Sequence, residues 1–251
     1  MWDSDFFGIR IGRVVTNRLS CAIMDATNRW CALNAVDCLY FLADANDAQT
    51  IRLAEDFGFN LVDMRMTLAR RILSEEPMPT APEGAIIRLA LPSDLKFLRA
   101  IARCGHRDSR FYFDNRFPAE RCDSLYETWI EKSCAGRSAA VFVAELRETP
   151  VGYVTCNRVD PATGQIGLLG VDSSAQGKGL GSVLINTAIG WFRRQGLNRA
   201  LVVTQGRNVR AQVCYQRCGF LTQSVQLWYH RWFHGSAERR GPVASDSSGA
   251  Q

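Results

Sequence analysis

Two short stretches hold residue types that can do chemistry together. In "NVRAQVCYQRCGF" a tyrosine, Tyr215, follows an asparagine, Asn208, at a spacing of two helical turns. A phenol with a pKa near 10 can hand a proton to a departing thiolate held beside it. Upstream, "VDSSAQGKGLGS" concentrates Gly177, Gly179 and Gly181 around Lys178. An apolar strand running into such a loop and then into a helix offers consecutive N–H groups and the positive end of a helix dipole, a setting for phosphate. Glycine lets the backbone approach the anion without a Cβ in the way.

The letters decide among phosphate loops. A P-loop needs Ser or Thr after the lysine, and Gly179 stands there. The dinucleotide fingerprint G-x-G-x-x-G fails at Ser182, and the loop lies late in the chain. The pattern Q-x-x-G-x-G is met by Gln176, Gly179 and Gly181. With that block and the later N-x-x-A-x-x-x-Y-x-x-x-G-F block, the chain resembles the GNAT superfamily of acetyl-CoA-dependent N-acetyltransferases over roughly Ile86 to Phe233. The resemblance implies that the amides of Gln176, Gly177, Lys178, Gly179, Leu180, Gly181 and Ser182 hold the pyrophosphate of acetyl-CoA. Lys178 either adds charge there or is a solvated loop lysine. It implies that the preceding strand, "GLLGV", parts from its neighbour, so that N–H groups of Leu169, Gly170 and Val171 hold the thioester and its developing oxyanion. Gly167 and Gly170 read as a bulge or close backbone approach, or as simple packing relief. Tyr215 is then the general acid, and Asn208 a contact to the CoA chain, a helix N-cap, or both.

Elements must position these groups. "PSDLKFLRAIAR" reads as a helix capped by Ser93, and "SLYETWIEKS" as a second helix. "AAVFVAEL" and "VGYVTCNR" read as a hairpin, followed by a strand "GQIGLLGV". Apolar residues from Leu180 to Trp191 recur at helical spacing up to Gly196; then come strand "RALVVT", the Asn208 helix and a long final strand. The expected fold class is α/β, a mixed sheet of GNAT type, preceded by a smaller partial GNAT-like unit. The organisation expected is a partial domain at 1–73, a Pro/Glu-rich linker at 74–84, a catalytic domain at 85–234 and a disordered tail at 235–251. The partial domain rests on a faint repeat: aligning Gly58 with Gly219 sets Asp47 against Asn208 and Ala54 against Tyr215. The first copy has no glycine loop before it.

The acceptor is less legible. "DSRFYFDNRFPAERCDSLYETWIEKS", "IGLLGVDSSAQGKGLG", "VVTQGRN", "LWYHRWF" and the leading "WDSDFFG" resemble the TDP-fucosamine acetyltransferase family. That resemblance implies acetylation of the 4-amino group of a TDP-linked 4-amino-4,6-dideoxygalactose. Arg110 suits a sugar-nucleotide diphosphate, and Phe111 or Tyr112 suits stacking on sugar or thymine; an ordinary loop arginine and a core phenylalanine is the plainer alternative. "WDSDFFG" is either a structural hook or part of the acceptor site. Another small amine, a protein N-terminus, or a non-catalytic acyl-CoA-binding module remain alternative functions. No general base is evident among His106, His230 and His234. Cys214, Cys218, His230 and His234 mimic a zinc-finger spacing, but the cysteines fall on a helix and the histidines on a strand, the reverse of a finger, so no metal is expected.

Composition bounds the rest. With 47% hydrophobic and 22% charged residues the chain has material for a sizeable core. A net charge of +5 is too mild to favour nucleic acid and suits an anionic ligand. Nine cysteines, an odd number without a CxxC, suggest reduced thiols and a cytoplasmic location. No apolar run is long enough to span a membrane. The long final strand makes a homodimer plausible.

Overall fold

A computed structural model describes residues 2–75 and 81–233. The described chain divides into two compact units, a smaller one up to Leu61 and again from Trp228, and a larger one from Val62 to Leu227. The expected boundary near Ser74 is therefore moved. The last residues of the "NLVDMRMTLARR" strand ladder onto a strand of the larger unit from Arg65↔Gln205 to Arg71↔Arg199. Much of the expected linker and all of the expected tail lie outside the described residues.

The smaller unit contains α1 (Trp2–Phe7), β1 (Ile11–Arg13), α2 (Cys21–Leu33), β2 (Cys38–Asp44) and α3 (Ala48–Asp56), with β1 and β2 parallel. The "WDSDFFG" segment makes α1. Its Ser4 hydroxyl accepts from the Ile11 N–H (3.0 Å) and donates to the Ile11 carbonyl (3.3 Å), so the segment hooks onto β1.

β3 (Asn60–Arg71) leads into the larger unit, which continues with β4 (Ala85–Leu89), α4 (Leu95–Gly105), α5 (Arg110–Phe113), α6 (Ala119–Lys132), β5 (Ala140–Leu146) and β6 (Thr149–Arg158). It ends with β7 (Thr163–Val171), α7 (Leu180–Arg194), β8 (Arg199–Gln205), α8 (Val209–Arg217) and β9 (Leu221–Trp232). Its strands run β9-β3-β8-β7-β6-β5-β4 across the sheet. The β7–β8 pair is parallel, and β3–β8, β4–β5, β5–β6 and β6–β7 are antiparallel. This is the mixed α/β architecture that the alternation of strands and helices predicts.

The sheet's two faces are covered by different helices. On β6, Gly152 meets Leu184 of α7, while the next residue, Tyr153, shares the space over Gly170 with Ile101 of α4. Successive strand residues point to opposite faces, so α4 and α7 lie on opposite sides. Leu68, Val154, Ile166, Leu184, Phe192, Val202 and Phe220 are buried between the sheet and α7 and α8. Each such side chain stabilises the fold by about 1.5–3 kcal/mol. The expected Ser93 cap does not form. Pro92–Asp94 make a single 3-10 turn instead, and the Asp94 carboxylate accepts from the Leu91 N–H (2.7 Å). Asp94 also takes two bonds from Arg88 (2.6 and 2.9 Å), which in turn holds Glu145 (2.6 Å). That network fixes the start of α4 to β4 and β5.

The faint repeat is matched in its helix cap and its closing turn. Asp47 caps α3 by accepting from Thr50 N–H, as Asn208 caps α8 by accepting from Ala211 N–H. Phe59 N–H bonds Ala54 O and Gly58 N–H bonds Glu55 O; Phe220 N–H bonds Tyr215 O and Gly219 N–H bonds Gln216 O. Gly58 and Gly219 both close their helices at positive φ, 75° and 82°. Where the second copy has Tyr215, the first has a fully buried Ala54.

Candidate functional site

The glycine loop is built to present donors. Asp172 ends β7 and accepts from the Ser174 N–H (2.9 Å) and hydroxyl, bonds that hold its carboxyl below the usual range. Gly177 and Gly179 adopt φ of 79° and 81°, a conformation that costs side-chain-bearing residues strain. α7 starts directly after Gly179 with no side-chain cap, and its first bond is Val183 N–H to Gly179 O (3.2 Å). Among the described residues, the N–H groups of Gly177, Lys178, Gly179, Leu180, Gly181 and Ser182 have no protein acceptor. Gln176 instead works through its side chain. Its amide donates to Val171 O (2.9 Å) and accepts from Arg210 (2.6 Å), tying loop, strand end and α8 together. Lys178 is exposed on the loop.

Beside the loop, two strands part. β7 and β8 pair only from Thr163↔Arg199 to Ile166↔Val202, although both continue, to Val171 and Gln205. On its other edge β7 slips register against β6, so that Gly167 and Leu168 together oppose Thr155. Leu168 N–H bonds the Thr155 hydroxyl (2.8 Å) and Asp172 N–H bonds Val151 O (2.8 Å), both toward β6. Strand alternation then turns the Leu169 and Val171 N–H groups the opposite way, into the wedge beyond the last β7–β8 pair. Gly170 lies between them with its amide toward β6, and contributes space rather than a donor. A Cβ on Gly170 would stand 2.8 Å from the Tyr153 ring, and one on Gly167 would stand 2.7 Å from Thr155 Oγ1 and Asn157 Nδ2. Both glycines are therefore required by close approach.

α8 carries Tyr215 and packs beside the glycine loop. Cys214 of α8 lies against the first turn of α7, its sulfur 3.6 Å from the Ser182 hydroxyl. Tyr215 follows it, buried against Phe220, and burial raises its pKa. Asn208 uses its side-chain oxygen for the helix cap (Ala211 N–H, 3.0 Å). The side-chain amide stays outside that cap.

The acceptor-side expectations divide. Phe111 is 1% exposed with its ring edge-on to Phe117, so a ligand-stacking role does not fit its placement. The Tyr112 hydroxyl bonds Asp123 (2.5 Å), and this bond together with burial pushes its pKa up. That segment is also not a plain loop, since Arg110–Phe113 form α5. Arg110 lies over the Phe111 ring, and its charge acts on a carboxylate absent from the sequence reading, Asp63. Asp63 is 4% exposed at the start of β3. Burial pushes its pKa up to about 6, against the pull of Arg207 and Arg110. Arg207 stands 3.9 Å from it, lies over the Phe113 ring at 3.7 Å and bonds Val62 O (2.7 Å). In sequence Asp63 is one acid in an alternating strand, and only its burial marks it. His106 is the other missed group. Its Nε2 is 3.0 Å from the Tyr153 hydroxyl and its ring stacks on Tyr126. Burial lowers its pKa to about 4, so it is neutral at physiological pH.

The zinc-like spacing falls partly outside the described residues. His230 is fully buried and stacked on Tyr40, and His234 lies outside the described residues. No group of three or more His, Cys, Asp or Glu side chains that could hold a metal occurs among the described residues. No described helix is long and apolar enough to cross a membrane.

Known proteins place this geometry. Residues 106–220 match the acetyltransferase (GNAT) family. The chain is 26% identical over 233 residues to a dTDP-fucosamine acetyltransferase of Escherichia coli O6:H1, covering 92% of this chain and 95% of that protein. It is 24% identical over 229 residues to a mycothiol acetyltransferase of Salinispora arenicola, covering 88% of this chain and 68% of the relative. Among solved structures, a tandem GNAT protein from the clavulanic acid biosynthesis pathway superposes with a TM-score of 0.63 at 14% identity, covering 90% of this chain and 76% of that one. A GCN5-related N-acetyltransferase from Sphaerobacter thermophilus gives 0.62 at 17% identity, over 84% and 67% of the two chains.

Proposed function

We propose that this chain, a GNAT acetyltransferase by the domain it carries at residues 106–220, acetylates the amino group of a nucleotide-linked amino sugar of the TDP-4-amino-4,6-dideoxygalactose type. Acetyl-CoA, the co-substrate of the family, supplies the acetyl thioester. The observation that carries the reading is the row of six unpartnered N–H groups, Gly177 to Ser182, in the loop that follows the β7 segment parted from β8. Consecutive free amides at a helix start fit a pyrophosphate, and the wedge leaves an open strand edge for an extended chain. The likeness along nearly the whole chain to a dTDP-fucosamine acetyltransferase supports the acceptor.

Each residue then has a task. The N–H groups of Leu169 and Val171 receive the charge that grows on the thioester oxygen, where preorganised donors act most strongly. Gly170 and Gly167 keep that strand edge close to its neighbours. Asp63, ionised above about pH 6, takes a proton from the acceptor ammonium or amine, directly or through water. Arg110 and Arg207 hold its carboxylate ionisable despite burial. The Tyr215 hydroxyl, kept protonated by burial, gives a proton to the leaving sulfur. Asn208 fixes the start of α8 and with it the height of Tyr215.

A second acceptor class, another small amine without a nucleotide, is supported by the likeness to mycothiol acetyltransferases. An acceptor panel separates the two. With TDP-amino sugars, UDP-amino sugars, polyamines and short peptides, kcat/KM should be highest for the TDP-amino sugar. A higher value for any acceptor without a nucleotide overturns the nucleotide-sugar reading.

A further inference from the structure

α6 roofs a cavity of about 610 Å³ on the face of the sheet away from α7. Its floor is Thr155 and Asn157 of β6 with Gln165 and Gly167 of β7, and its roof includes Trp129 and, in the turn after α6, Arg137. The size suits a small-molecule ligand. Its chemistry is one-sided, since no acidic residue lines it. Arg158 also lines it, but its guanidinium is turned back onto Asp160 O (3.2 Å) and Pro161 O (2.9 Å). The Arg137 side chain makes no hydrogen bond or ion pair among the described residues, and neither do the side-chain amides of Asn157 and Gln165. An exposed cation, two amides and an indole facing one space match a ligand with phosphate, hydroxyls and a flat ring.

The cavity adjoins the chemistry at two points. Gly167 is the bulge residue directly after the last β7–β8 pair, and the wedge donors start two positions on, at Leu169. Trp129 packs 5.1 Å from Tyr126 on the preceding turn of α6, and Tyr126 in turn feels the charges of Arg110 and Asp63. The cavity thus lies one turn of α6 from a side chain on which Arg110 and Asp63 both act.

We infer that the cavity binds the nucleoside diphosphate part of the acceptor, with Arg137 on the phosphates and Trp129 against the base. This rests on the nucleotide-sugar reading and sharpens it. It places the diphosphate at Arg137 rather than at Arg110, whose charge faces Asp63.

Calorimetry with thymidine diphosphate and uridine diphosphate tests it on protein saturated with CoA, so that the glycine loop is blocked to the probe. Wild type should bind one equivalent. Arg137→Gln should weaken binding about tenfold to a hundredfold, the range for a lost hydrogen bond to a charged group. Arg137 is exposed, so the variant should keep the wild-type melting temperature. Asn157→Asp, which adds a negative charge to the floor, should weaken binding as well, and Arg110→Gln should leave it within about twofold. No diphosphate binding by wild type, or loss through Arg110→Gln while Arg137→Gln binds normally, overturns the assignment. Failure to acetylate a TDP-amino sugar while thymidine diphosphate still binds through Arg137 rejects the proposed acceptor but leaves the cavity's ligand class standing.

Discussion

Replacing Gly170 with alanine tests whether the β7 edge is held as tightly as the geometry implies. The new Cβ would lie 2.8 and 2.9 Å from two carbons of the Tyr153 ring and 3.0 Å from Ile101 Cγ2. Carbon contacts are comfortable at about 3.5–4.0 Å, so something must move by roughly 0.5–1 Å. Tyr153 has little room to yield. It is 0% exposed and its hydroxyl is held by His106 at 3.0 Å. Ile101 is also buried, on α4. The movement therefore falls partly on β7 itself, and Leu169 and Val171 flank the substitution. Overpacking of this kind costs about 1–3 kcal/mol in stability. Displacing oxyanion donors lowers kcat by about 10²–10³. Thermal melting and steady-state kinetics with acetyl-CoA read the two effects separately. The expected result is a lower melting temperature and a fall in kcat larger than any rise in KM for acetyl-CoA. Shrinking the neighbour, in Gly170→Ala with Tyr153→Leu, should recover part of kcat. A Gly170→Ala enzyme with wild-type kcat would refute the reasoning that this strand edge bears the reacting carbonyl.

Other outcomes follow from the same structure. Tyr215→Phe should lower turnover by about 10²–10⁴ while CoA affinity, measured by calorimetry, stays close to wild type. Wild-type kcat/KM should rise with pH through about 6, and Asp63→Asn should abolish that rise. Asp63 also predicts a stability trend. Its folded pKa lies above the unfolded value, so its contribution is full below about pH 4 and is lost as pH rises through about 6. The melting temperature of Asp63→Asn relative to wild type should therefore rise over that window. Arg88→Ala leaves the largely buried Asp94 without its cation, and chemical denaturation should show a loss of about 3–5 kcal/mol.

The elements of the candidate cofactor site were legible because local chemistry dictates them. Gly177 and Gly179 need positive φ, Asn208 caps a helix, and "GLLGV" holds the two glycines that close approach demands. The repeat was visible too, since Asp47 and Asn208, and Gly58 and Gly219, do the same local work in each copy. The acceptor side was obscure because it is assembled from distant segments. Asp63 in β3 acquires its neighbours Arg110 and Arg207 only through the sheet order and α5. His106, at the end of α4, meets Tyr153 of β6 across many residues of intervening chain. Phe111 stayed open between two readings, since an aromatic in a polar segment can be a surface platform or a core anchor, and its burial against Phe117 makes it the second. The Ser93 cap failed because Asp94, one residue on, offers a carboxylate that serves Leu91 and Arg88 together.

The most direct test of the central claim is product analysis of the reaction between acetyl-CoA and TDP-4-amino-4,6-dideoxygalactose. Mass spectrometry and thiol release should show the sugar nucleotide one acetyl group heavier, acetylated on the 4-amino nitrogen, with one equivalent of free CoA. Unchanged sugar nucleotide under conditions where the protein binds acetyl-CoA would contradict the account.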